Sequence, residues 1–298
     1  MKRIENAPMS KYTSFRAGGT ARELLMPESV GELSEALRDA YSGDEPWILL
    51  GNGSNTVFLD GEFPGKVIMP QLGGEIEVSG QEDGNFLIKA SADALLSRLA
   101  RTAAAESLTG LEFAAGIPGS VGGGVFMNAG AYGGELKDCI VSADVLMPPE
   151  FDPVTLGREE LAMGYRHSAL QESGGIVVSA TFALEKGDKE EIEARMADLA
   201  ARRSDKQPLE YPSAGSFFKR PEGHFAGKLI EDAGLKGLRV GGAQISEKHA
   251  GFMINAGGAT ATDIVDLMHA VQNRVLELYG VLLEPEVRLI GPDYGKRG

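Results

Sequence analysis

Apolar positions change their period several times along the chain, and each change predicts an element. After Ser29, the residues Val30, Leu33, Leu37 and Ala40 recur at helical spacing. They predict a helix with one apolar face, capped by the Ser29 hydroxyl. Continuous apolar runs at 47–50, 56–59 and 67–69 predict short buried strands. Residues 75–78 and 86–90 predict a hairpin turning through the polar stretch 80–85. An amphipathic helix follows over 92–106, then a long glycine-rich loop, then strands near 140–147 and 175–184. A charged helix over 190–203 carries a stripe of Ile192, Met196 and Leu199 that reads as ordinary core packing. Further on, the pattern predicts helices over 225–232 and 260–279. It also predicts strands near 238–245 and 251–255 and a final strand over 281–290.

Helices and strands do not alternate strictly, so the expected class is α+β rather than one doubly wound sheet. The chain has 298 residues, enough for two or three compact units. The divisions fall near 70 and 205, giving regions 1–70, 71–205 and 206–283.

Charge narrows the function. With 29 basic and 43 acidic residues the net charge is −14, which argues against a nucleic-acid partner. A local cationic pocket stays open. The lone cysteine, Cys139, excludes an intrachain disulfide framework and a cysteine-rich metal site. His167, His224, His249 and His269 fall at no metal-ligand spacing, so no metal is expected. The first residues lack the apolar core of a signal peptide, and no apolar run approaches a membrane span. A cytoplasmic protein with no membrane partner is the expectation.

Glycine is the outlier. There are 40, about twice the usual share, clustered at 51–53, 116–134 and 241–258. The loop 51–55, Gly-Asn-Gly-Ser-Asn, joins two predicted strands. Its backbone N–H groups could form an anion nest, or it could be a plain hairpin turn, since Asn-Gly favours both. The stretch 115–133 holds many small residues but also Ile117, Val121 and Phe126, which do not suit a solvated linker. Backbone lying against a large flat ligand is the better account. Neither loop has the spacing of a dinucleotide-binding Rossmann turn. Residues 223–228, Gly-His-Phe-Ala-Gly-Lys, miss the P-loop spacing and its following Ser or Thr.

Three polar stretches stand in apolar surroundings. In 213–220, Ala214 and Gly215 permit close approach to Ser216, Phe217 and Phe218 could wall off water, and Lys219 and Arg220 add positive charge. This would aim one hydroxyl at an anionic reactant in a dry site. The alternative is a buried strand with a basic end. Arg166, in Tyr165-Arg-His-Ser168 between a helical stretch and a strand, offers a fork of donors for a carboxylate or simply a surface ion pair. On a strand, Glu284, Glu286 and Arg288 would share one face, as a pocket wall or a solvated surface. Pro285 argues for an edge or a strand start.

The motifs LGNGSNTVFLD, AGIPGSVGGGVFMNAGAYG, YRHS, AGSFFKRP, AGKLIEDAGLKG, SEKHAGFMINAGGAT and LEPEVRLIG together resemble the UDP-N-acetylenolpyruvoylglucosamine reductases over nearly the whole chain. The resemblance implies a two-lobed FAD-binding unit of the vanillyl-alcohol-oxidase-like type, made of 1–70 joined by the tail 284–298, and of 71–205. A C-terminal α/β substrate domain over 206–283 would close over the substrate. It implies reduction of a UDP-sugar enolpyruvyl ether in peptidoglycan precursor synthesis, with FAD as cofactor and NADPH as co-substrate, by a monomer or weak oligomer. Residues 110–135 contain no His or Cys for a flavin tether, unlike some sugar and alcohol oxidases of the wider class, so the FAD is expected to be noncovalent.

Carried over position by position, Ser216 matches the proton donor, and Arg166 and Glu286 match the pair that polarises the substrate carboxylate. A carboxylate in that role needs a raised pKa or a close cation such as Arg288. The flavin contacts implied are Gly51, Asn52, Gly53, Ser54 and Asn55 in the first loop. In the second they are Ala115, Gly116, Ile117, Pro118, Gly119, Gly122, Gly123, Asn128, Gly130, Ala131 and Tyr132. Substrate contacts implied are Tyr165, Lys206, Lys219, Arg220, His249 and Arg288. Arg220 stands where some members have asparagine, and His249 near a position that is glutamine in some. Only 50 residues separate Arg166 from Ser216, as in the shorter subtype without a substrate-covering loop.

Overall fold

The computed structural model describes residues 1–82 and 84–292. Asp83 of the predicted 80–85 turn and residues 293–298 of the predicted tail lie outside the described residues. The chain is α+β. Strands β1 (Lys2–Pro8), β2 (Thr20–Met26), β3 (Trp47–Leu49) and β5 (Glu62–Ile68) make one sheet in the order β1-β2-β5-β3. The intervening β4 (Thr56–Phe58) belongs to a different pairing. Since β3 and β4 do not pair with each other, the 51–55 loop is no hairpin turn.

Helix α1 (Val30–Ser42) starts where predicted, with Ser29 Oγ accepting from the Glu32 N–H at 3.2 Å. Leu33, Leu37 and Ala40 are buried, but Val30, at the rim of the stripe, is 40% exposed. The buried face packs on Leu146, Ile176 and Val178 of a second sheet and on Phe151 in one of its turns, so α1 joins the first two regions through one core.

That second sheet is antiparallel, with order β9-β8-β10-β7-β6, from β6 (Ile76–Glu82), β7 (Asn85–Ser91), β8 (Ile140–Met147), β9 (Asp152–Gly157) and β10 (Ile176–Lys186). Helix α2 (Leu96–Ala105) begins four residues later than its apolar pattern. The carbonyls of Ala92 and Ala94 are taken by the N–H groups of Gly122 and Val121, at 2.8 Å each, so they cannot open a helix. Part of the predicted glycine loop is itself a short helix, α3 (Val121–Phe126), capped by Ser120. Val121 and Val125 are fully buried and drive that turn into the core.

After the single turn α4 (Leu170–Ser173) and helix α5 (Lys189–Lys206), a third sheet forms from β11 (Ser213–Ser216), β12 (Arg239–Val240), β13 (Ala243–Ile245) and β14 (Phe252–Asn255). Its order is β11-β14-β13-β12. Helices α6 (Ala226–Asp232) and α7 (Ala261–Tyr279) cover it through Leu229, Ile230, Ile264, Leu267 and Val271.

The predicted final strand shrinks to β15 (Arg288–Ile290), parallel to β4 with Arg288 opposite Thr56. Pro285 has no N–H for a ladder, and residues 284–286 run instead beside 217–219. There Lys219 N donates to Glu284 O and Glu286 N to Phe217 O, each at 2.8 Å. Among the described residues no helix is long and apolar enough to cross a membrane.

Asp60 ties the first region to α7. Its carboxylate accepts from the N–H groups of Ala261 (3.1 Å) and Thr262 (2.7 Å) and from the Thr262 hydroxyl (2.7 Å). Burial pushes its pKa up, but these hydrogen bonds outweigh burial and hold it below the usual value. A lowered folded pKa means stability that is present above the unfolded value and lost as pH falls through the folded one. Asp60→Ala should therefore lower unfolding free energy by about 1 kcal/mol at pH 7, as for loss of a cap. In urea titrations at several pH values, the gap to wild type should close below about pH 4.

Candidate active site

Two clefts flank β11, and its residues divide between them. Ser213 and Gly215 line the first, of about 580 Å³, and Ser216 the second, of about 350 Å³. Gly215 sits at φ +78°, and the pairing of β11 with β14 shifts register between Ser213 and Ser216. Such a bulge re-aims a side chain, here the Ser216 hydroxyl. Ser216 is exposed in its cleft rather than enclosed in a dry one. Phe217 and Phe218 are buried against each other, with ring centroids 5.3 Å apart; they anchor the strand end, and Phe218 also borders the second cleft.

Arg166 and Glu286 face Ser216's cleft together. Arg166 Nε donates to Glu286 Oε1 at 2.7 Å, with side chains 24% and 11% exposed. Arg166 does not link a helix to a strand, as expected. It lies in a reverse turn at φ +53°, closed by paired hydrogen bonds between Gly164 and His167, and α4 follows. The expected cation beside Glu286 was Arg288, two residues away on a strand. Because 281–287 is not a strand, that geometry never forms, and the partner is Arg166. The Arg288 guanidinium stands 5.9 Å from the Phe126 ring centroid instead. Arg166 also helps hold the Glu135 carboxyl below the ordinary range, after the larger effect of its hydrogen bond to Lys137.

The second cleft is cationic despite the acidic chain. Arg166, Arg220, Lys228, Lys236 and Lys248 line it against two carboxylates, Glu231 and Glu286. Arg220 stacks 4.1 Å from the Phe225 ring centroid, and its N–H donates to the Tyr165 hydroxyl at 3.3 Å across the rim. His249 also lines it. Burial is the main cause of its lowered pKa, so it is neutral at pH 7. Its Nδ1 accepts from Gly251 N at 3.0 Å, which leaves Nε2 as the donor. Three expected substrate contacts do not line this cleft. Lys219 pairs outward with Glu284 at 3.4 Å, Arg288 belongs to β15, and Lys206 reaches only as charge felt by His249. Lys228, Lys236 and Lys248 were missed. For Lys228 the signal is the Gly-His-Phe-Ala-Gly-Lys stretch, which lacks P-loop spacing but still brings a lysine to the cleft.

The first cleft is lined by part of the second glycine loop, and the first loop packs against that one without lining the cleft. Asn52 Nδ2 donates to Pro118 O at 2.5 Å, and a Cβ at Gly51 would stand 2.7 Å from Ser120 Oγ. Gly53, at φ +62°, has the Tyr12 carbonyl where a Cβ would be. Gly51 thus lets the first loop close on Ser120 of the second, and Gly53 lets it close on Tyr12, because neither carries a side chain. Of the expected flavin contacts, Ala115, Gly116, Pro118 and Tyr132 line the cleft. Asn128 is buried, and its amide serves the protein, donating to Glu135 Oε2 (2.7 Å) and Gly164 O (2.8 Å) and accepting from Lys137 N (3.0 Å). Gly122 and Gly130 serve packing, against Ala92 and Gly134. The α5 stripe is corrected too: Ile192 is buried, but Met196 and Leu199 are half-buried cleft walls. Ala115, Gly116 and Pro118 of the second loop face Met196, Leu199 and Ala200, a mostly apolar slot that fits a flat ring system.

Other chemistries find little support in the described residues. No group of three or more His, Cys, Asp or Glu could hold a metal ion. Burial, above all, pushes the Cys139 thiol up to about 12, far from a thiolate.

Comparison with known proteins identifies the family. Residues 21–150 match the family described as FAD binding domain, and residues 207–290 match the UDP-N-acetylenolpyruvoylglucosamine reductase, C-terminal domain. The chain is 51% identical over 286 residues to the UDP-N-acetylenolpyruvoylglucosamine reductase of Lachnoclostridium phytofermentans, covering 96% of this chain and 92% of that one. It is 50% identical over 290 residues to the reductase of Pediococcus pentosaceus, covering 97% and 95%. The crystal structure of the Thermus caldophilus reductase superposes with a TM-score of 0.81 at 38% identity, covering 97% of this chain and 98% of that one. The chain belongs to the UDP-N-acetylenolpyruvoylglucosamine reductase family, with an FAD-binding domain followed by that family's C-terminal domain.

Proposed function

We propose that the chain reduces the enolpyruvyl ether of UDP-N-acetylglucosamine to UDP-N-acetylmuramate in peptidoglycan precursor synthesis. FAD would occupy the first cleft and the UDP-sugar the second, with Ser216, Arg166 and Glu286 doing the work between them. The family membership supports the reaction. The assignment of residues rests on one observation: Ser216 stands where β11 separates the clefts, and the Arg166–Glu286 pair shares its cleft.

FAD, when bound and reduced by NADPH, supplies the hydride. Reduction at the terminal carbon of the substrate's double bond gathers negative charge on the adjacent carbon and its carboxylate. Arg166 meets that charge as a fixed cation. Glu286 occupies one of its five donors and locks the plane of the fork, leaving the others for the carboxylate. Glu286 thus acts through Arg166 and needs no proton of its own. The Ser216 hydroxyl then delivers a proton to the carbanion-like carbon; a serine is a weak acid, so this demands close alignment and a very basic acceptor. The bulge at Gly215 supplies that alignment. The cationic lining of the cleft suits the diphosphate, and neutral His249 offers a directional donor.

We read the chain as a flavin-binding unit of two lobes, 1–70 and 71–205, followed by a substrate domain. The match over 21–150 supports one unit across residue 70, and the match from 207 supports the later boundary.

Ser216→Ala should leave flavin reduction by NADPH at the wild-type rate in anaerobic stopped-flow and stall reoxidation by the enolpyruvyl substrate. Equal slowing of both half-reactions would rule out the proton-donor role. Arg166→Ala should lower turnover by roughly a hundredfold to a thousandfold while flavin stays bound. Because the pair acts as a unit, Glu286→Ala added to Arg166→Ala should cost little more than either alone, whereas additive losses would separate their roles.

A further inference from the structure

His249 does more than line the second cleft. It stands in a tight turn before β14, where the Ser246 hydroxyl oxygen accepts from Lys248 N at 3.1 Å and from His249 N at 3.2 Å. Its Nδ1 accepts from Gly251 N at 3.0 Å, and its carbonyl accepts from Phe252 N at 2.9 Å. These two bonds fix the peptide planes on either side of Gly251. A glycine has no side chain to restrict it, so its planes depend on such bonds. The ring fits closely. A Cβ on Gly251 would stand 3.0 Å from its Cε1 and one on Gly227 3.3 Å, and the Phe252 ring meets it edge-on with centroids 5.1 Å apart.

The far plane of Gly251 reaches Ser216. Gly251 O accepts from Phe217 N at 2.9 Å, and Phe252 is the strand partner of Ser216. The Phe217 N–H lies in the same peptide plane as the Ser216 carbonyl, so this bond fixes the backbone on one side of Ser216. On the other side Gly215 has no side chain to restrain it. We propose that His249 is a positioning residue for Ser216: its Nδ1 fixes the Gly251 peptide, which in turn holds the Phe217 N–H and the backbone that aims the Ser216 hydroxyl. This inference rests on Ser216 as the proton donor. It gives the ring two separate tasks, Nδ1 toward Ser216 and Nε2 toward the substrate.

Only a bare Nδ1 can accept. A proton added there sets N–H against N–H and frees Gly251. Burial is the main influence holding His249 below the ordinary histidine value; Lys236 and Lys206 act the same way, and Glu231 on α6 opposes them. Lys228 of α6, Lys248, Arg220, Arg166 and Glu286 line the same cleft, while β11 and β14 carry no ionisable side chain. The surroundings thus keep Nδ1 bare at neutral pH.

Two amides separate the tasks. Asparagine sets its oxygen where Nδ1 stands, and glutamine sets its amide where Nε2 stands. Reoxidation of the reduced holoenzyme by the enolpyruvyl substrate is followed in anaerobic stopped-flow. His249→Gln should keep the substrate concentration for half-maximal rate and lower the limiting rate roughly tenfold. His249→Asn should keep the limiting rate and raise that concentration roughly tenfold. The limiting rate of wild type should fall as pH drops below about 6.5, and that of His249→Asn, which has no proton to gain there, should not. The reverse split, or an acid fall that His249→Asn shares, overturns the proposal. If His249→Gln does not fold, His249→Ala carries the comparison: it should lose limiting rate where His249→Asn does not. Equal slowing of both half-reactions in Ser216→Ala would overturn the proton-donor role and this inference with it. An absent split, with Ser216→Ala stalled in reoxidation alone, would overturn the positioning role and leave the proton donor standing.

Discussion

The ion pair between Arg166 and Glu286 joins residues 120 apart in sequence, and three stretches of chain depend on it. Glu286 is held on every side: its N–H by the Phe217 carbonyl at 2.8 Å, its carbonyl by Asn55 Nδ2 at 3.0 Å, and its carboxylate by Arg166. Asn55 belongs to the first glycine loop, Arg166 to the turn beyond the second sheet's β9, and Phe217 to the strand that carries Ser216. A carboxylate this enclosed is costly to leave alone, so losing Arg166 would strand a buried charge as well as remove a cation from the site. The proposed catalytic arrangement and the meeting of the three regions are therefore one structure. A substitution chosen to disturb chemistry here disturbs assembly as well, which is why half-reactions and double-mutant coupling are more informative than overall activity.

Local signals in the sequence were read correctly where they depend on neighbours a few residues away. Ser29 as a cap, the hairpin of 75–90 and the long helix after Thr260 all rest on short-range periodicity and capping chemistry. Errors arose where a distant segment competed for the same backbone. Residues 92–95 have helical apolar spacing, but the glycine stretch takes their carbonyls. Residues 281–287 have strand composition, but Pro285 and the 217–219 backbone redirect them.

The site shows the same division. Ser216, Arg166 and Glu286 could be named from motifs, yet which arginine faces Glu286 could not, because the choice between Arg166 and Arg288 depends on a strand that does not form. Of the lysines of the second cleft, Lys228 has a glycine-rich stretch before it, but Lys236 and Lys248 come from segments whose convergence has no mark in the sequence. Met196 and Leu199 have the spacing of core residues; only the presence of an open cleft beside α5 makes them walls.

The bulged strand from Ser213 to Ser216 has a thermodynamic consequence. Its residues line two different clefts, proposed above for flavin and nucleotide sugar, so neither cleft can change shape without moving the wall of the other. Fixing Gly215 from the flavin side restricts the Ser216 backbone, and fixing Ser216 from the substrate side restricts Gly215. Linkage then requires reciprocity: whatever factor bound flavin adds to the affinity for the nucleotide sugar, the sugar must add to the affinity for flavin. On that assignment, four residues of backbone would couple the retention of a cofactor to the supply of a substrate.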